Sequence, residues 1–114
     1  MSLERIFKAL IELGLSQTDA RVYIYLATKG SKSANQICDA LNANKQIIYP
    51  SLKNLRNNRI IAVSSRRPLI FSSVPFEEVL DMLIKKKFEQ SEEILETKKE
   101  LVKSWTSVDW NNNK

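Results

Sequence analysis

NKQIIYPSLKNLRNN, residues 44–58, decides the fold. Laid out at about 100° per residue, Ile48, Leu52 and Leu55 fall within an arc of about 60°. They form the apolar stripe of an amphipathic helix. Gln46, Pro50, Lys53 and Asn57 occupy the opposite side, with Tyr49 and Asn54 on its flanks. A proline inside a helix removes one donor and crowds the carbonyl four residues back, at a cost of about 3 kcal/mol. On the outward side that cost falls, because the freed Gln46 carbonyl meets water or a bound partner. The same kink re-aims Lys45 and Gln46, and the ring offers a small apolar surface.

Upstream, Leu3, Ile6, Phe7, Leu10 and Leu13 recur at helical spacing, and Gly14 closes that helix. Ser16 reads as the N-cap of the next helix, with Asp19 completing a capping-box-like pair. That helix, QTDARVYIYLATK, is apolar nearly all round from Val22 to Ala27, as a central buried helix should be, and Gly30 ends it. Ser33 and Gln36 form a second capping box, opening the short helix ANQICDALN with Ile37, Cys38 and Leu41 inward. A tight turn at Asn42 to Asn44 leads into residues 44–58.

Downstream the period changes. RIIAVSS and LIFSSV are short β-branched runs separated by RRP, which predicts a two-stranded hairpin with a basic tip. From Phe76 to about Trp105 there is neither Gly nor Pro. Leu80, Ile84, Phe88, Leu95, Val102 and Trp105 fall near one seam interrupted by Ser91 and Lys98, so one long helix of about 45 Å is expected. Helices, then a hairpin, then a long helix is the order of a winged helix-turn-helix, a mainly α fold with a small β-hairpin. Residues 1–75 make the winged domain, 76–105 a coiled-coil-like helix, and 106–114 an aperiodic, flexible tail.

The chain has 114 residues and a net charge of +5, unevenly spread. Lys29 to Arg67 holds eight basic side chains against Asp39 alone, whereas Phe76 to Glu100 holds eight acidic ones against five lysines. A basic middle suits a polyanion. With no histidine and one cysteine, there is no Cys/His zinc set and no internal disulfide, and no metal or cofactor is expected. Cys38 reads as a small buried hydrophobe. No matched acid–base pair or activated nucleophile points to an enzyme. No apolar run is long enough to span a bilayer and no signal peptide is evident, so a cytoplasmic protein is expected.

The polar helix face then suits the DNA major groove. Gln and Asn can pair with adenine, and Lys can donate to guanine or phosphate. The expected DNA-contacting set is Ser33, Asn35, Lys45, Gln46, Tyr49, Pro50, Lys53, Asn54 and Asn57, with Arg66 and Arg67 at the hairpin tip. Tyr49 can pack under the wing or touch a phosphate, and the two arginines can grip phosphate or guard a strand edge. The long seam either pairs with the same helix of a second chain or packs within its own chain. A homodimer through that helix is the simpler reading.

LGLSQTDARVYIYLATKG, ANKQIIYPSLKNLRNNRII and SSVPFEEVLDMLIKK also resemble successive blocks of the N-terminal region of TrmB-like archaeal transcriptional regulators, from about Leu13 to Lys86. The resemblance implies a winged-helix DNA-binding domain of a transcription regulator and an archaeal source. Family members often have glycine where Arg59 stands, and commonly no proline at Pro50. Larger relatives add a C-terminal sugar-sensing domain that 114 residues cannot hold, so carbohydrate recognition does not carry over. No small-molecule effector is evident. The expectation is a small dimeric regulator that binds double-stranded DNA in a sequence-specific way. The alternative is a winged-helix protein-interaction module of the transcription machinery, which an acidic surface around the helix would favour.

Overall fold

Side-chain acceptors set where three of the helices begin. In the computed structural model, which describes residues 3–108, α1 spans Leu3–Glu12, α2 Gln17–Lys29, α3 Ala34–Leu41, α4 Lys45–Asn57 and α5 Phe76–Ser107. Ser16 Oγ accepts the Asp19 amide at the start of α2 (3.0 Å), and Asn44 Oδ1 accepts the Ile47 amide at the start of α4 (3.1 Å). At α3 the expected capping box is complete: Ser33 Oγ accepts from the Gln36 amide, and Gln36 Oε1 accepts from the Ser33 amide. Each cap satisfies a donor that the first helical turn otherwise leaves unpaired.

At α2 the capping-box expectation is half right. Ser16 is the cap, but the Asp19 carboxylate does not turn back to it. Asp19 is buried and points across to α4.

The stripe expected on α4 is buried and Ile37 and Cys38 of α3 face inward as expected, whereas of the first helix's series only Leu10 is buried and Leu3 is exposed. Leu10 from α1, Val22, Tyr23 and Leu26 from α2, Ile37 from α3, and Ile48, Leu52 and Leu55 from α4 form one core with Ile60 and Val79. Burying each such aliphatic side chain contributes about 1.5–3 kcal/mol. Cys38 is buried among them, as expected. Helix α2 is central, lying against α1, α3 and α4, although Ile24 and Tyr25 are only half-buried and Ala27 is exposed. The Tyr23 hydroxyl donates to the Val74 carbonyl at 2.7 Å. Burial pushes its phenol above the ordinary range, so it stays a donor.

The expected two-stranded hairpin is a three-stranded antiparallel sheet. Strands β1 (Lys32–Ser33), β2 (Ile61–Val63) and β3 (Ile70–Ser73) lie in the order β1-β3-β2. β1 pairs Lys32 with Phe71 and Ser33 with Ile70. Two residues are too few to carry a strand periodicity, and it is the partner's free edge that recruits them.

Helix α5 runs 32 residues, two beyond the expected end at Trp105, so Thr106 and Ser107 are helical rather than tail. The remainder of the expected tail, 109–114, lies outside the described residues. The first turns of α5 are anchored: Val79 and Leu83 are buried, Leu80 is half-buried, and Lys86 Nζ donates to Asn58 Oδ1 at 3.1 Å. From Ile84 to Val108 every residue is exposed, and the described molecule measures 64 × 31 × 27 Å.

Candidate nucleic-acid interface

Helix α4 is presented by a turn of three residues. Asn42 takes the left-handed conformation at the end of α3 (φ 51°), where the Ala43 amide donates to the Cys38 carbonyl at 3.0 Å. Asparagine tolerates that region better than most residues. Asn44 then caps α4, so the angle between the two helices is set by two asparagines.

Two kinds of contact fix how α4 is turned about its axis. Ile48 and Leu55 are fully buried, and Leu52 nearly so. Beside them, the Asp19 carboxylate accepts Ser51 Oγ at 2.5 Å and Asn54 Nδ2 at 2.7 Å. Hydrogen bonds to a charged acceptor are about twice as strong as neutral ones. Lys45, Gln46, Tyr49, Pro50, Lys53, Arg56 and Asn57 are consequently turned outward. The helix runs without interruption through Pro50, which lies on the exposed side as expected, as does Gln46.

The wing stands opposite. Ser64 organises its tip: its amide donates to the Ile70 carbonyl, its Oγ accepts from the Ile70 amide at 2.9 Å, and the same hydroxyl donates to the Arg66 carbonyl. Arg66 and Arg67 project from this tip, both exposed. Between wing and α4 lies a cleft of about 750 Å³ whose third wall is the start of α3. Ser33, Asn35, Tyr49, Lys53, Asn57 and Arg67 all line it, so six of the expected contact residues meet in one place. Lys45, Gln46 and Pro50 lie outside the cleft on exposed α4, and Arg66 lies outside it at the wing tip.

Two of the expected residues have another use in the fold. Asn54 directs its carboxamide at Asp19, and Ser33 has both hydroxyl and amide in the α3 cap. Arg56, Pro68 and Leu69 also line the cleft and were not anticipated. Arg56 sits about 80° round the helix from Ile48, next to Tyr49, so a wider polar arc would have included it. Among the described residues the salt bridges are Glu4–Lys8 and Glu96–Lys99, and neither involves the basic residues of this surface. Their charge is available to a polyanion.

Residues 10–77, which span α2 to α4 and the wing, match the family described as sugar-specific transcriptional regulator TrmB. The chain belongs to the TrmB family. It is therefore a winged-helix DNA-binding transcription regulator by class. No curated protein is significantly similar in sequence.

Solved structures agree on the fold. TrmBL2, an archaeal chromatin protein, superposes with a TM-score of 0.78 at 22% identity, over 94% of this chain but 42% of its own. This TrmB-family chain thus spans less than half of that protein. A possible transcriptional regulator from Methanosarcina mazei gives a TM-score of 0.65 at 15% identity, covering 88% of each chain. A transcriptional regulator from Thermotoga maritima gives 0.56 at 20% identity, over 94% of this chain and 85% of that one.

Proposed function

We infer that this TrmB-family regulator reads double-stranded DNA in a sequence-specific way, with α4 in the major groove and the wing on the adjoining backbone. One observation carries the reading: the polar face of α4 is held outward by the buried stripe and by Asp19, beside a wing that adds Arg66 and Arg67. Gln46, Lys53 and Asn57 are the candidate base readers. Lys45, Arg56, Arg66 and Arg67 are the candidate phosphate contacts, while Tyr49, Pro50, Asn35 and Ser33 shape the approach. Asn54 is a positioning residue in this reading, since its amide serves Asp19.

The regulator acts as a homodimer joined by α5. Ile84 is 54% exposed, Phe88 64%, Leu95 57% and Val102 53%, and Trp105 continues that face. Ile94 and Leu101 flank it, equally exposed. A second copy of α5 buries this surface and doubles the reading head. The protein is read as a binding protein of the cytoplasm and not as an enzyme. Among the described residues no helix is long and apolar enough to cross a membrane.

The test is recovery of bound fragments from the source genome, followed by affinity measurement on the recovered duplex and on a scrambled one. A preference of at least about 1,000-fold at moderate salt is expected. Equal affinity for both duplexes would remove sequence-specific reading.

A further inference from the structure

The cleft between α4 and the wing is more apolar than contact with a phosphate backbone requires. Tyr49 on one wall is 49% exposed and Leu69 on the other is 41% exposed, and both face the same space. Phe71 closes the floor between them. Phosphate oxygens gain nothing from such surfaces, and exposed aromatic and aliphatic side chains that converge on one concavity mark a ligand surface. The polar part of the lining has one sign: Lys53, Arg56 and Arg67 contribute three positive charges, and no acidic side chain lines the cleft. A volume of about 750 Å³ accommodates a molecule of one or two fused rings.

We propose that this cleft is a binding site for an amphipathic aromatic carboxylate, whose ring lies between Tyr49, Leu69 and Phe71 and whose carboxylate is held by Arg56 and Arg67. Charge complementarity selects an anion, because a neutral aromatic leaves three cations unmatched. The apolar walls select an aromatic anion over inorganic phosphate. Arginine suits the carboxylate in particular, since its planar fork can donate two parallel hydrogen bonds. Because Lys53, Asn57 and Arg67 line the same cleft and belong to the proposed DNA surface, ligand and DNA exclude one another. That regulatory consequence rests on the DNA-binding reading; the site itself does not.

The probe is 2-naphthoate, titrated calorimetrically into the full-length protein without DNA. 2-Naphthamide and inorganic phosphate are titrated in parallel. Saturable binding of one naphthoate per chain is expected, with the amide at least tenfold weaker and phosphate not competing. Arg56→Gln and Leu69→Ser, both at exposed positions, each weaken naphthoate at least fivefold, whereas Lys99→Gln on distal α5 leaves it unchanged.

No saturable binding at millimolar probe overturns the proposal. So does binding indifferent to Arg56→Gln and Leu69→Ser, or phosphate binding as tightly as naphthoate. With the operator duplex added, naphthoate at ten times its dissociation constant should lower apparent DNA affinity about tenfold for a single chain and about 100-fold for the proposed dimer, whose two clefts must both be empty. The two readings fail separately: naphthoate binding without any DNA binding removes the proposed function and leaves the site standing, and DNA binding without naphthoate binding does the reverse.

Discussion

The carboxylate of Asp19 in α2 accepts the hydroxyl of Ser51 and the carboxamide of Asn54, both in α4, so a buried acid ties the central helix to α4. Removing it orphans the nearly buried Ser51 hydroxyl and deletes two charge-assisted bonds. Asp19→Ala should cost about 2–3 kcal/mol of unfolding free energy, read by urea titration, and should weaken DNA binding. Ser51→Ala removes one bond and should cost about 1–2 kcal/mol. A neutral Asp19→Ala variant would mean that the apolar stripe alone fixes α4.

Pro50 gives the opposite sign. It lies exposed inside a continuous helix, and Gln46, whose carbonyl would accept its missing donor, is also exposed. Pro50→Ala restores that donor and should leave stability unchanged or raise it by up to about 1–3 kcal/mol. Lower affinity for the operator is expected at the same time. Thermal melts and binding isotherms on one preparation check both.

Arg59 adopts φ +61°, a left-handed conformation that costs a non-glycine residue about 1–2 kcal/mol. Arg59→Gly relieves that strain but frees the unfolded chain, by about 0.5–1 kcal/mol. The net change should be a gain of about 0.5–1 kcal/mol by chemical denaturation.

These three sites show what was legible in the residues and what was not. The stripe Ile48, Leu52, Leu55, the caps at Ser16 and Ser33, and the outward side of Pro50 all follow from local periodicity and turn chemistry, whereas Asn44, expected only as part of a turn, is also the cap of α4. The role of Asp19 is not legible locally, because its partners lie 32 and 35 residues away and local spacing favours a neighbour at Ser16. β1 leaves no trace in the sequence, because two residues carry no pattern of their own. Arg56 stood at the margin of the helical arc, and only the wing opposite shows that this margin faces a cleft.

The roles of the basic residues separate by salt. If the dimer neutralises about eight phosphates, log K should fall against log salt with a slope near −7. Arg66→Ala with Arg67→Ala should weaken specific and random DNA alike and flatten that slope, whereas Lys53→Ala should weaken mainly the specific duplex. Anisotropy titrations at several salt concentrations distinguish the two patterns; equal effects from both sets would displace the reading head from α4.

The α5 seam is tested by charge. Leu95→Glu with Val102→Glu places like charges across a paired helix and changes only exposed positions, so the winged body should stay folded while the dimer dissociates. Light scattering should give the monomer mass, and operator affinity should fall at least about 100-fold as two half-sites cease to act together. A dimer that survives moves the interface elsewhere.

Because α5 leaves the body as a continuous helix held at its root by Val79, Leu83 and Lys86, it would couple the two heads of the proposed dimer by phase as well as by distance. Inserting one residue just after Phe88 turns each head by about 100° about the helix axis, as far as a helix can be misphased in a single step of sequence. Inserting seven restores the angle to within about 20° but shifts each body by about 10 Å along the shared axis, close to the rise of three base pairs. In that dimer the helix is a vernier, on which sequence length converts into the spacing and rotational setting of the two halves of an operator.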